Sequence, residues 1–375
     1  MTWGEWVDGE LATIRRAGQW RAPRTLDAAG PEGKLGADGR PVVSFASNDY
    51  LGLTQHPEVI AAAHAALDRW GAGSGAARLI VGSRPVHDEL EAELATGKGT
   101  ERAVVFPTGF AANLGALTTF GGPDVLVCSD ELNHASIIDG ARLSGSEIAI
   151  FRHADVDHLA SLVDRADGRR CLVVSDSVFS MDGDVAPITD LVALCSDRGC
   201  LLVLDEAHAV LGPDPDLRDI AALRVGTLSK THGALGGFIA CDRQAADLLV
   251  NRARSYIFTT APTPADSGAA LAAARILAGP EGAALRSRLR ANIDQLRPGH
   301  PSPIVSVPCG AEADAVSAAD ALLARGLLVP AIRPPTVAPG TSRLRVTLSA
   351  AHTPGQVERL VEALRGLGLL AAGGS

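Results

Sequence analysis

Between residues 102 and 254 short apolar runs alternate with helical patterns, and that alternation limits the fold more than any other feature of the chain. The runs are Arg102–Phe106, Asp124–Cys128, Glu147–Phe151, Cys171–Ser175, Leu201–Leu204, Arg224–Leu228 and Gly237–Cys241. A run such as LLVL has no polar face, so it predicts a strand covered on both sides. Phe110–Thr119, Val156–Arg165, Ile188–Arg198 and Arg243–Arg254 lie between the runs, with apolar residues at helical spacing. Such alternation predicts an α/β fold: a mostly parallel seven-stranded sheet with helices on both faces.

The flanks read differently. Residues 1–45 carry one amphipathic helix, and the stretch GPEGKLGADGRP is expected to be a turn between two strands. Residues 46–265 form the expected large domain. From Pro264 an alanine-rich helical stretch runs to about Arg297. The rest of 266–375 is expected to be a small α+β domain: SPIVSVP as strand, helix Asp314–Arg325, LRVTLSA as strand, and helix Pro354–Leu364. A length of 375 residues fits two or three domains.

A formal net charge of −9 argues against nucleic acid or anionic membrane as a partner. No apolar run is long enough for a membrane span. The start, MTWGEWVDGELATIRR, has acids where a signal peptide needs a basic and then an apolar region. The six cysteines form no CxxC pair and most sit in apolar runs, so they read as buried free thiols in a cytoplasmic protein, with no metal site.

Familiar signals for chemistry are absent. GAGSGA at 71–76 follows a helix, the wrong context for a dinucleotide fingerprint. TGKGT at 96–100 lacks the leading glycine of a P-loop, and there is no HExxH or GxSxG. What remains lies just past successive strands, where open α/β sheets bind ligands: PTGFAAN (107–113), SDELNHAS (129–136), SDSVFSMDGD (175–184), DEAHAV (205–210) and TLSKTHGALGG (227–237).

These segments, with ASNDYLGL (46–53), GAGSGAARLIVG (71–82), VFSMDGDVAPI (178–188) and YIFTTAPTPA (256–265), closely resemble the α-oxoamine synthases. That family is a branch of the fold-type-I enzymes that use pyridoxal 5′-phosphate (PLP). The resemblance runs from about Trp3 to Leu364 and implies a large PLP-binding domain plus a small C-terminal α+β domain. DEAH alone is weak; DEAH some 20 residues before TLSK, with NHAS and SMDGD upstream, is specific.

PLP requires one lysine amine, and the chain has only three lysines, Lys34, Lys98 and Lys230. Lys34 falls in an expected turn and Lys98 in a glycine-flanked loop, so Lys230 is the candidate; the alternative is a lysine snorkelling at a strand end. The resemblance implies that Asp205 meets the pyridine nitrogen, that His208 bonds the phenolic oxygen, and that His134 stacks on the ring. Asp205 could instead be a helix N-cap, and either histidine an ordinary core or surface residue. Gly109 and Phe110 open a helix whose N-terminus suits a phosphate; plain capping by Thr108 is the alternative. Ser180 and Thr227 are implied phosphate hydroxyls, or ordinary turn residues. Thr259 and Thr260 match a stretch that reaches the partner subunit's phosphate in a homodimer.

For substrates, Arg345 matches the arginine that pairs the amino-acid carboxylate, which suits its planar fork, and Asn48 is an amide near the same group. Arg345 could also be a solvated strand arginine, and Asn48 a turn residue. Arg21 matches an arginine that binds the far carboxylate of a dicarboxylic acyl chain, although Arg15, Arg16 and Arg24 lie close and a solvated basic helix face fits as well. The chain departs from the family at Ala209–Val210, where a glycine is usual, and in the short segment LGPDPDLRD. His232, beside Lys230, has no assigned role.

The implied reaction joins a small amino acid to an acyl thioester, of CoA or a carrier protein, and releases CO2. GAARL is closer to members that join L-alanine to a pimeloyl chain in biotin synthesis than to the GGTR string of 5-aminolevulinate synthases. Glycine or serine with another acyl-CoA, a fold-type-I aminotransferase, and a PLP-fold regulator without catalysis remain the other readings.

Overall fold

The computed structural model describes residues 1–370. The chain divides into two compact units: Ser47–Val305 with Thr347–Glu358, and Met1–Ala46 with Ser306–Val346 and the chain from Arg359 on. The expected boundary near 265 does not coincide with this division, since the helices after Pro264 fall in the larger unit.

The larger unit is built on a seven-stranded sheet. In spatial order its strands are Arg102–Phe106, Gly237–Cys241, Ala222–Thr227, Leu201–Asp205, Arg170–Asp176, Val125–Asp130 and Glu147–Phe151. Gly237–Cys241 runs antiparallel to both neighbours, and the other six strands are parallel. That one reversal follows from a short connection: only the turn after Lys230 separates Gly237–Cys241 from the preceding strand, too little chain for a crossover helix.

Alternation along each strand feeds two apolar layers. Val203, Val174, Val127 and Val225 face helices Gly109–Phe120, Ala135–Leu143 and Arg243–Arg252. Leu202, Leu204, Val173 and Cys128 face helices Val156–Val163 and Ile188–Arg198. Every one of these strand side chains is essentially inaccessible, and each buried Leu or Val contributes about 1.5–3 kcal/mol. This is why the strands read as unbroken apolar runs.

Two expectations change in detail. The alanine-rich stretch is two helices, Pro264–Ala278 and Pro280–Leu296, broken at Gly279 because Pro280 has no N–H and starts the second helix at its first position. The stretch GPEGKLGADGRP is more than a turn: Glu32–Leu35 pairs antiparallel with both Leu26–Ala28 and Arg40–Ser44. With Leu327–Leu328 these form a four-stranded sheet of the smaller unit, and Ile304–Gly310, Ser342–Thr347 and Ala331–Ile332 form a separate three-stranded sheet.

Cys128, Cys195, Cys200 and Cys241 are buried free thiols, while Cys171 and Cys309 are only half-buried. Burial pushes the Cys128 and Cys241 thiols up to about 12. Among the described residues no cluster fits a metal ion, and no helix is long and apolar enough to cross a membrane.

Candidate active site

The carboxyl ends of the parallel strands open into a cavity of about 250 Å³ in the larger unit. Gly109, Phe110, His134, Asp205, His208, Thr227 and Lys230 line it together.

Lys230 leaves the sheet three residues beyond the strand Ala222–Thr227. Its Nζ lies 2.8 Å from His208 Nε2. His208 Nδ1 lies 2.5 Å from the Tyr50 hydroxyl, which donates to Asn48 Oδ1 at 3.2 Å. Tyr50 and His208 are buried, so this file of contacts holds the amine in place. Asn48 therefore reaches the cavity through Tyr50 and His208 and does not line it.

Asp205 ends its strand with its carboxylate buried. Oδ1 accepts the Ala207 N–H at 2.9 Å and Oδ2 accepts from Asn113 Nδ2 at 2.6 Å. Asp176 stands opposite Asp205 on the next strand. Burial, and then the facing Asp205 charge, push the Asp176 carboxyl well above the usual range, although it accepts the His134 N–H at 2.8 Å. His134 caps the helix Ala135–Leu143, accepting from the Ser136 N–H. Partial desolvation holds its imidazole below the usual value; Asp205 works against this and Lys230 adds to it.

Thr108 caps the helix Gly109–Phe120 by accepting the Ala111 N–H at 3.0 Å. The first N–H groups of a helix have no partner within it, and Gly109 and Phe110 line the cavity, so this helix end suits an anion. A side chain at Gly237 would meet the Thr108 carbonyl at 2.4 Å, so only glycine lets the antiparallel strand pass this cap. Thr227 Oγ1 contacts Ser229 Oγ at 2.7 Å, placing two hydroxyls beside the same helix end.

Ser180, Thr259 and Thr260 do not line the cavity. Ser180 sits in the loop Val178–Asp184, which His153 ties to the sheet: Nε2 to Asp184 at 2.7 Å and Nδ1 to Asp130 at 3.1 Å. Gly183 in this loop has φ +73° and would place a side chain against the Ile304 carbonyl, so glycine is required there. Burial disfavours the His153 charge, but the hydrogen bonds to Asp130 and Asp184 outweigh it and raise the pKa. A raised folded value stabilises fully below the unfolded pKa, near 6.5, and the benefit is lost as pH rises through the folded value. The stability lost in His153→Gln is therefore expected to be largest below about pH 6.5 and to shrink at higher pH. Urea unfolding midpoints of both proteins across pH check this; a pH-independent difference contradicts it.

Arg345 and Arg21 belong to the smaller unit. Arg345 is buried on the strand Ser342–Thr347, and Arg21 is exposed and donates to Thr336 Oγ1 at 3.4 Å. Of the nearby arginines, Arg15 stacks on Trp20. His232 is half-buried with a shielded Nδ1 that makes no hydrogen bond, and desolvation lowers its pKa to about 4.

Five residues of this region carried no expectation: Tyr50, Asn113, Ser136, Asp176 and Ser229. Asn113 and Ser136 were visible only as letters inside TGFAAN and LNHAS, and Asp176 only as a letter of SDSVFSMDGD past the expected strand end.

The family model for aminotransferase class I and II matches residues 40–364. The chain belongs to this family. It is 47% identical over 362 residues to an 8-amino-7-oxononanoate synthase of Methylobacterium sp. (strain 4-46), covering 92% of this chain and 95% of the relative. It is 46% identical over 378 residues to the enzyme of that name from Anaeromyxobacter dehalogenans, covering 96% and 94%. Among solved structures, serine palmitoyltransferase from S. paucimobilis with a bound PLP–myriocin aldimine has 31% identity and a TM-score of 0.91, covering 99% of this chain and 100% of that one. An 8-amino-7-oxononanoate synthase from Francisella tularensis has 26% identity and a TM-score of 0.72, covering 87% and 97%. The fold is therefore that of the PLP-dependent fold-type-I enzymes, and the α-oxoamine synthase resemblance read from the motifs holds over nearly the whole chain.

Proposed function

We propose that the chain is a PLP-dependent acyltransferase that condenses L-alanine with pimeloyl-CoA, or a pimeloyl carrier-protein thioester, to give 8-amino-7-oxononanoate, CoA and CO2 in biotin biosynthesis. The observation that carries the cofactor is the single cavity in which Lys230 Nζ, the Asp205 carboxylate and an open helix N-terminus meet. The choice of alanine and a pimeloyl chain is carried by the relatives of 44–47% identity.

The donor set fits PLP. The amides of Gly109 and Phe110, with the Thr227 hydroxyl, would hold the phosphate. Lys230 would hold the aldehyde carbon, Asp205 the ring nitrogen, His208 the phenolic oxygen, and His134 the ring face. Thr259 and Thr260 would complete the partner's phosphate site in a homodimer. When bound, PLP supplies an electron sink for the amino acid's Cα.

The chain's own residues do the rest. By the family resemblance Arg345 would pair with the alanine carboxylate and Arg21 with the far carboxylate of the acyl chain, while Asn48 would act through Tyr50 and His208. The Lys230 amine takes the proton from the alanine Cα and later returns one to the same carbon. His208, 2.8 Å away, keeps that amine aimed at the cavity. The Asp205 carboxylate would keep the ring nitrogen of bound PLP protonated, the condition for the ring to act as an electron sink.

The structural likeness to serine palmitoyltransferases, at 31% identity, supports a second reading in which serine replaces alanine. CO2 release from PLP-loaded protein decides between them, with alanine, glycine and serine each offered with pimeloyl-, acetyl-, succinyl- and palmitoyl-CoA. Release with alanine and pimeloyl-CoA alone is expected. Keto-acid-dependent amino transfer without CO2 would replace this proposal with an aminotransferase. We place the enzyme in the cytoplasm, as a homodimer with neither nucleic acid nor membrane as partner.

A further inference from the structure

The carboxylate of Asp205 and the imidazole of His134 are joined by two buried side chains, Asn113 and Ser136, each about 1% exposed. Asn113 Nδ2 lies 2.6 Å from Asp205 Oδ2 and 2.9 Å from Ser136 Oγ. Ser136 Oγ lies 2.7 Å from His134 Nδ1.

The direction of every proton in this file follows from its first member. An ionised carboxylate only accepts hydrogen bonds, so the amide of Asn113 must turn its NH2 group to Asp205. The second hydrogen of that NH2 then points at Ser136 Oγ. Turning the amide over would set its oxygen against the Asp205 carboxylate. The structure leaves Asn113 Oδ1 buried without a partner instead. With its oxygen accepting from Asn113, the Ser136 hydroxyl gives its own proton to His134 Nδ1. The Ser136 backbone N–H also points at Nδ1, from 3.2 Å. Two donors converge on that nitrogen, so it carries a lone pair and the ring proton sits on Nε2.

We infer that Asn113 and Ser136 are positioning residues that transmit the charge of Asp205 to His134, fixing the imidazole as the neutral tautomer protonated on Nε2. The other titratable groups facing it across the cavity are Asp176, His208 and Lys230. Asp176 grips the backbone N–H of His134 at 2.8 Å and so fixes the ring's base, while the relay fixes its proton. One carboxylate thereby sets both the charge at the end of the cavity and the hydrogen-bonding face of the histidine beside it. The consequence for the cofactor rests on the function proposed above; the relay itself does not.

The test uses the full chain labelled with 15N-histidine, with and without PLP, and nitrogen chemical shifts that separate the two tautomers. The His134 signal is assigned by its loss in His134→Gln. The expected wild-type result is a single Nε2–H tautomer. Ser136→Ala, which removes one oxygen and preserves the fold, is expected to give a mixture of tautomers, and Ser136→Thr, which keeps a hydroxyl, to restore the single form. Asn113→Ala should give the same mixture and, with PLP, lower turnover by about 10- to 100-fold with a smaller change in the amino-acid KM. A wild-type ring protonated on Nδ1, or a folded Ser136→Ala protein with an unchanged signature, overturns the relay. Failure to condense alanine with a pimeloyl thioester would sink the proposed function and leave the tautomer measurement standing.

Discussion

Lys230→Ala protein is expected to lose at least about 10²- to 10⁴-fold in CO2 release, the contribution typical of one positioned acid–base group. The loss should exceed that range, because Lys230 is also the residue that would hold the cofactor. Neither other lysine can substitute. Lys34 lies in a strand of the smaller unit, and Lys98 is committed to Glu206 at 2.7 Å. Added PLP should still bind through the helix end at Gly109 and the Asp205 carboxylate, without the visible absorbance of lysine-linked PLP. Folding should be little changed, since the variant removes a half-exposed side chain and leaves His208 with its Tyr50 contact. Normal turnover, or a normal visible spectrum, in this variant would remove Lys230 from its assigned place.

Glu206→Ala should cause the largest loss of stability, about 3–5 kcal/mol. Glu206 is the second residue of DEAH, yet its side chain is 1% exposed and turned to a different task from that of Asp205. Its Oε1 accepts from Arg224 Nε at 2.8 Å, and its Oε2 meets Lys98 Nζ at 2.7 Å. Arg224 is itself buried; it also pairs with Asp214 and donates to the Lys98 carbonyl at 2.9 Å. Removing the carboxylate leaves the Arg224 charge buried with only the exposed Asp214 as counter-ion, and such uncompensated charge is costly. The melting temperature should fall by on the order of 10 °C. A fall of less than about 2 °C would mean that water reaches Arg224 and the network is not a stabilising one.

The seven strands were legible because burial on both faces writes itself as unbroken apolar runs, as in LLVL. Four of them shift by one or two residues at their ends: Asp130, Asp176 and Asp205 stay in the ladder by their backbone although their side chains are polar, while Asp124 and Leu228 fall outside it. The break at Gly279 was legible too, as Gly-Pro, but the alanine-rich pattern on both sides masked it.

The site divides along a similar line. Lys230, Asp205, His208, His134, Gly109, Phe110 and Thr227 meet in one cavity because each follows, or opens a helix after, a strand of the same sheet. Position past a strand end is a one-dimensional property, and the chain's three lysines narrowed the search further. Asn113, Ser136 and Tyr50 are different. Asn113 is 92 residues from Asp205 and Tyr50 is 158 from His208. Their roles depend on which polar atoms face each other once the strands pair, and a hydrogen bond is decided by tenths of an ångström that no spacing rule carries.

Sequence alone thus determined the sheet, the strand ends that bear the chemistry, and the one lysine suited to it, because hydrophobic periodicity and residue type act locally. Only the tertiary structure decided which buried amide orients Asp205, which hydroxyl orients His134, and that Glu206 holds a buried ion network behind the site. Those contacts join residues distant in the chain, and they exist only after the backbone has brought their atoms within bonding distance.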